Sequence, residues 1–292
     1  MRALTVVPLH AGSAAVVDVD EPDPGPGDLL VDGLALGVCG TDREIVAGEY
    51  GNGRYTERGI KEIDGFASER WTVEASYTVK LDAGLERVGM LMEPTSIVAK
   101  AWDHIDHIGN RAYFRPERAL ITGGGTIGLL AALLASQRGL EVHVLDRVDD
   151  GPKPALVRDL GAIYHTSDVE TIAGEALPDI IVEATGAHQL VFDVMQHNAP
   201  AAIVCLTGVT PAGRHVTVDA GQLNRDIVLE NDVVFGSVNA NLGHYELAAQ
   251  ALATADSAWL ERLITRRVPL ERFEEALDSR PEDVKVVLEL QP

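Results

Sequence analysis

The residues with the clearest chemical spacing are glycines. In Ala119-Leu-Ile-Thr-Gly123-Gly-Gly125-Thr126-Ile127-Gly128-Leu-Leu, Gly123, Gly125 and Gly128 fit GxGxxG. An apolar run precedes them and an Ala/Leu-rich run follows. In that setting Gly123 allows a tight turn and Gly125 lets the backbone approach a pyrophosphate. Gly128 lets helix and strand pack closely. The helix start offers unpaired N–H groups and a favourable dipole to an anion. The alternative is a tight strand-to-helix turn that binds nothing. Asp146 ends the next apolar run, 18 residues beyond Gly128. A carboxylate there bonds a ribose hydroxyl and favours NAD. The Arg147 guanidinium could hold the 2′-phosphate of NADP or be a solvated charge. NAD and NADP both stay open, with NAD ahead. Thr185-Gly186, Leu206-Thr207-Gly208 and Ser237-Val238-Asn239 follow three further apolar runs. C-terminal strand ends of this kind are where open α/β sheets bind ligands.

These residues need a sheet to hold them. Short apolar runs at 119–122, 142–145, 163–165, 180–184, 203–206 and 233–238 alternate with amphipathic stretches. Strands alternating with helices predict βαβ units and a parallel sheet. Six such strands make a doubly wound Rossmann sheet of two mononucleotide-binding halves. Before it, 4–7, 14–19, 29–36 and 71–82 predict strands, and 49–65 reads as loop. Ile97, Ala101, Ile105 and Ile108 predict one face of a helix over 93–109, with Pro94 in its first turn. Helices near 245–255 and 270–277 and a strand at 284–290 should return to the N-terminal region. The expected division is 1–115, 116–240 and 241–292: a mainly β part, the nucleotide-binding part, and a return to the first.

Lys and Arg number 24 against 45 Asp and Glu among 292 residues, a net charge of −21. Phosphates would be repelled, which excludes nucleic acid and anionic membranes as expected partners. No apolar run approaches a bilayer span, and Met1-Arg2-Ala3-Leu4 reads as the start of a strand rather than a leader. A cytoplasmic location is the expectation. Two cysteines, Cys39 and Cys205, make neither a disulfide framework nor a four-cysteine zinc site.

Several segments together resemble the zinc-dependent medium-chain dehydrogenases, within them the glucose 1-dehydrogenase branch. They are Gly37-Val-Cys39-Gly-Thr41-Asp42-Arg-Glu, Glu57-Arg-Gly-Ile, Asp64-Gly-Phe, Leu91-Met-Glu93-Pro94-Thr-Ser, Glu183-Ala-Thr-Gly and Gly236-Ser-Val-Asn239. The resemblance implies a GroES-like, mainly β catalytic domain beside the Rossmann sheet. It implies hydride transfer from C1 of an aldose to NAD(P), with zinc as Lewis acid. Cys39 matches a zinc ligand, and Glu93 a carboxylate that binds sugar and approaches the metal. Thr41 matches the hydroxyl that relays the alcohol proton and touches the sugar. Glu57 and Asn239 match sugar-contacting positions, with Asp42 beside them. A homodimer or homotetramer is implied as well, with the sixth sheet strand as its interface.

The sequence also departs from that pattern. The family's Gly-His-Glu segment, whose His is a zinc ligand, is absent, and no histidine lies between His10 and His104. A block of roughly fifty residues, a large part of a catalytic domain, is expected to be missing after Gly51. His104 and His107 share a helix and His244 follows Asn239, but each reads more readily as a surface or structural residue than as a ligand. Two other readings stay open: a nucleotide-binding remnant without catalysis, and a metal-independent reductase on the same fold.

Overall fold

The computed structural model describes residues 1–50 and 56–291. Residues 51–55, which hold the expected truncation point and part of the stretch expected as loop over 49–65, lie outside the described residues. The chain falls into two compact units, Met1–Lys80 with Ile264–Pro292, and Leu81–Leu263.

The first unit is mainly β. It runs through β1 (Arg2–Thr5), β2 (Ala15–Asp18), β3 (Asp28–Asp32), β4 (Ala35–Val38), α1 (Gly40–Val46), β5 (Glu57–Arg58), β6 (Glu62–Ile63) and β7 (Arg70–Glu74). The second contains α2 (Met92–Gly109), β8 (Arg118–Thr122), α3 (Thr126–Gln137), β9 (Glu141–Leu145), α4 (Pro152–Asp159), β10 (Ile163–His165), α5 (Val169–Glu175), β11 (Ile180–Glu183) and α6 (His188–Gln196). It continues through β12 (Ile203–Leu206), α7 (Ala220–Glu230), β13 (Val233–Gly236), α8 (Leu242–Thr254) and α9 (Ser257–Leu263). The tail rejoins the first unit as β14 (Ile264–Pro269), α10 (Phe273–Leu277) and β15 (Lys285–Glu289).

The second unit's sheet has the parallel order β10-β9-β8-β11-β12-β13. Connections reverse direction between β8 and β11, so a crevice opens at the C-terminal ends of those two strands. The sheet interior is apolar on both faces: Leu120, Ile121, Ile181, Val182, Ile203 and Val204 are fully buried, as a parallel sheet covered by helices requires. Asp168, Asp219 and Asn241 cap α5, α7 and α8 by accepting N–H groups of the first turn.

In the first unit β15 lies between β14 and β4, antiparallel to β4. Val38, Val268, Leu270, Phe273, Val286 and Leu288 form its core. The single strand expected over 29–36 is two strands. β3 pairs with β7 and β4 with β15, and the break falls at Gly33, where a Cβ would lie 2.2 Å from Trp71. The strand expected over 71–82 stops at Glu74, and a 3₁₀ turn follows at Ala75–Tyr77.

The expected domain limits at 115 and 240 differ from the observed ones. Helices α2, α8 and α9 belong to the second unit. α2 packs on α3 and α8 and buries Val98, Ala101, Trp102 and Ile105, which commits it to the nucleotide-binding sheet. No helix among the described residues is long and apolar enough to cross a membrane.

Candidate active site

The glycine turn is built as its spacing requires. Gly123 closes β8 with φ +97°, a left-handed conformation that other residues avoid. A Cβ on Gly128 would lie 1.7 Å from the Gly123 carbonyl oxygen, so only glycine lets α3 approach the strand end. Gly125 is the N-cap of α3, and the space where its Cβ would point is open. Thr126 and Ile127 form the first turn of α3. A helix start that directs its backbone N–H groups at an anion, with open space over Gly125, is the fit that a dinucleotide pyrophosphate needs.

Asp146 directly follows β9, and its carboxylate is bonded within the protein. Its Oδ2 accepts the Gly124 N–H at 2.5 Å, and its Oδ1 accepts those of Arg147 and Val148 at 2.6 and 3.2 Å. Lys153 lies 3.5 Å from Oδ2. Burial pushes the Asp146 pKa up, but the Gly124 bond, the Lys153 charge and the other N–H bonds outweigh it and hold the carboxyl below its usual range. Asp146 therefore ties the second strand to the glycine turn. Arg147 is exposed.

Glu183, at the end of β11, is fully buried. Its Oε1 accepts from Thr122 Oγ1 at 3.2 Å, Thr185 N at 2.7 Å and Gly186 N at 3.1 Å, and closely from Thr185 Oγ1. Its Oε2 also accepts from Gly186 N. It thereby fixes the Thr185-Gly186 turn beside the crevice. Gly208 is pressed against the same turn: a Cβ there would lie 2.1 Å from Gly186 N. Thr207 Oγ1 donates to the Glu183 carbonyl, and Leu206 ends β12. Beyond β13, Ser237 is buried with its Oγ unpaired. Val238 is exposed. Asn239 takes φ +60°, which asparagine tolerates better than most residues. Asp146, Arg147 and the residues after β8, β11, β12 and β13 all belong to this unit.

Glu93 opens α2 in the second unit and is exposed. Burial and then the Glu93 charge raise the pKa of Tyr245 on α8, against a hydrogen bond with Ser96 that lowers it. Cys39, Thr41, Asp42 and Glu57 belong to the first unit. Cys39 is the N-cap of α1, and Cys39 and Asp42 form a reciprocal capping box. The Cys39 N–H donates to Asp42 Oδ2 at 2.7 Å. Packing around the sulfur and then the Asp42 charge raise the thiol pKa, opposed in part by Lys285. The buried Lys285 donates from Nζ to the Val38 carbonyl at 3.1 Å. Thr41 lies half-buried in the first turn of α1, and Glu57 in β5.

Sequence reasoning missed three working residues. Lys153 had no signal beyond its charge. Glu183 stood inside a quoted motif without a role. The N–H of Gly124, the unassigned glycine of the loop, is the one Asp146 holds.

Fold and turn define a dinucleotide-binding dehydrogenase unit. A family model described as "Glucose dehydrogenase C-terminus" matches residues 86–290. The chain is 35% identical to glucose 1-dehydrogenase 1 of Caldivirga maquilingensis, covering 100% of this chain and 99% of that one. It is 34% identical to glucose 1-dehydrogenase of Thermoproteus tenax, covering 100% of both. The solved structure of Haloferax mediterranei glucose dehydrogenase in complex with NADP, Zn and gluconolactone superposes with TM-score 0.92 at 27% identity, covering 100% of both chains. The chain belongs to the zinc-dependent medium-chain dehydrogenases, in the glucose dehydrogenase family. The Caldivirga match runs over 350 positions against 292 residues here, so 350 − 292 leaves at least 58 positions without a residue of this chain. Both chains are covered almost end to end, which makes most of that shortfall internal, as the sequence suggested.

Proposed function

We propose that this chain is an NAD(P)-dependent dehydrogenase that oxidises C1 of an aldose such as D-glucose to the lactone. The observation that carries it is the open glycine turn at α3, in a chain whose full-length relatives are glucose 1-dehydrogenases. The turn Gly123–Gly128 binds the pyrophosphate through the α3 N–H groups. Asp146 and Arg147 meet the adenosine ribose. Thr185, Gly186, Leu206, Thr207, Gly208, Ser237, Val238 and Asn239 line the rest of the cofactor. The nicotinamide supplies the hydride acceptor and the protein supplies orientation.

By the family resemblance Cys39 and Glu93 would each serve as a zinc donor; a thiol and a carboxylate suit that ion, which when bound would acidify an alcohol. A catalytic zinc usually has three protein ligands. Thr41 takes the alcohol proton at its hydroxyl and passes it outward. Asp42, Glu57, Glu93 and Asn239 bond the sugar hydroxyls. Thr41→Ala should abolish turnover while leaving NAD(P)H binding unchanged; unaltered turnover would remove Thr41 from this role.

The proposal includes a homodimer or homotetramer joined through β13, the edge of the six-stranded sheet, and a cytoplasmic location. Sedimentation showing a monomer at assay concentration would contradict the first. Recovery in a membrane fraction would contradict the second.

A further inference from the structure

His104 and His244 are distant in sequence and meet in the second unit. Among the described residues, Asp103, His104 and His244 form the one group of three or more His, Cys or carboxylate side chains whose ligand atoms lie mutually within 4.8 Å. α2 supplies Asp103 and His104, and the first turn of α8 supplies His244, because the two helices pack along each other. The two imidazoles are 6.2 Å apart and inclined at 79°, and Phe235 lies 6.0 Å from His104. His244 is buried, and Asp103 and His104 are half-buried. The Asp103 carboxylate faces two ways: Oδ2 is 3.6 Å from His244 Nε2, and Oδ1 is 3.4 Å from His107 Nδ1.

We propose that Asp103, His104 and His244 bind a divalent transition-metal ion of the zinc class, at a site independent of Cys39. Imidazole nitrogen and carboxylate oxygen are zinc donors at about 2.0–2.2 Å, so ligand atoms of a tetrahedral site stand about 3.3 Å apart. No pair of these atoms needs more than about 1.5 Å of side-chain movement to reach that spacing. Three protein ligands leave one position for water. His107, one turn on, donates its Nδ1–H to the Asp103 backbone carbonyl at 2.7 Å and so leaves the Asp103 carboxylate available to the ion.

The binding has a proton balance. His244 Nδ1 accepts the Asn241 N–H at 3.2 Å, which leaves the proton of the neutral ring on Nε2, facing Asp103. An ion at Nε2 replaces that proton, which leaves to solvent, and Nδ1 takes one up, so the ring stays neutral. Nδ1–H then confronts the Asn241 N–H and that half of the α8 capping box opens. The other half, Asn241 Oδ1 accepting the His244 N–H at 3.1 Å, remains. Occupancy is thus coupled to the end of the Ser237–Asn241 segment, whose Val238 carbonyl is held by Lys100 Nζ at 2.8 Å.

Cobalt(II) titration of the full chain, followed by visible absorption, separates this site from one built on the thiol. Cys39→Ser protein should bind one equivalent with tetrahedral d–d bands and no thiolate charge-transfer band. Adding His104→Gln, or Asp103→Asn, to Cys39→Ser should weaken that binding at least tenfold in protein whose circular dichroism is unchanged. Failure of the folded Cys39→Ser protein to bind cobalt, or binding that both further substitutions leave intact, overturns the proposal.

Discussion

Glu183→Gln tests the architecture of the cofactor crevice. The carboxylate is fully buried, and its two oxygens take five bonds from Thr122, Thr185 and Gly186. A hydrogen bond to a charged group contributes roughly 1.5–3 kcal/mol and a neutral one roughly 0.5–1.5. Glutamine can keep its oxygen at the Oε1 position, so the donors there lose charge assistance, about 1 kcal/mol for each of three good bonds. Its NH₂ group then faces the Gly186 N–H, which Oε2 now accepts at 3.1 Å. The sum is about 3 kcal/mol, or a fall in Tm of roughly 6–12 °C for a unit of this size. The Thr185-Gly186 turn should shift with it and weaken NAD(P)H binding roughly tenfold, about 1.4 kcal/mol. Thermal unfolding by circular dichroism and a fluorescence titration with NADPH read both effects. A Tm within about 2 °C of the parent, with unchanged affinity, would refute the assignment of Glu183 as the anchor of this turn.

Other perturbations follow from single contacts. Gly128→Ala puts a methyl 1.7 Å from the Gly123 carbonyl; overpacking of this kind costs about 1–3 kcal/mol, and NAD(P)H binding should fall at least tenfold in the same fluorescence titration. Burial and then the Glu230 charge push Asp232 up to about 6. A raised acid stabilises the fold below its unfolded pKa, and that contribution is lost as pH rises through about 6. Asp232→Asn should therefore stabilise the protein at pH above that value by about 1 kcal/mol after solvent screening, and change nothing in stronger acid; denaturant unfolding at two pH values checks it. Asp146 has the opposite sign. Its lowered pKa contributes stability above the unfolded carboxylate range that is lost as pH falls through the folded value. Asp146→Asn should thus cost about 1 kcal/mol at neutral pH and converge with the parent in acid, by the same unfolding measurements.

Much of the second unit was legible because its strands are short apolar runs with helices between them. All six strands, α2 and the glycine turn lie where pattern and spacing put them. The first unit was harder to read. Gly33 divides one apolar run into two strands with different partners, and no local pattern announces that. α1 is only seven residues long and is set by the Cys39–Asp42 cap, a pairing that periodicity does not register. β14 carries Thr265, Arg266 and Arg267 in its middle, so it lacks the apolar run that marks a buried strand. Among site residues, the glycines could be read because backbone geometry restricts residue choice. Lys153 and Glu183 could not, since their work depends on partners brought close by the sheet. The meeting of His104 with His244 likewise depends on α2 packing against α8.

Sugar oxidation by this chain must proceed with the ligands it has. The most direct measurement is the near-ultraviolet absorbance of reduced nicotinamide, with D-glucose, added zinc, and NAD or NADP in parallel. Glucose-dependent reduction of at least one cofactor, stopped by a chelator and restored by zinc, is the expected result. A folded protein that binds NADPH but reduces neither cofactor would contradict it, and would leave the chain a dinucleotide-binding scaffold.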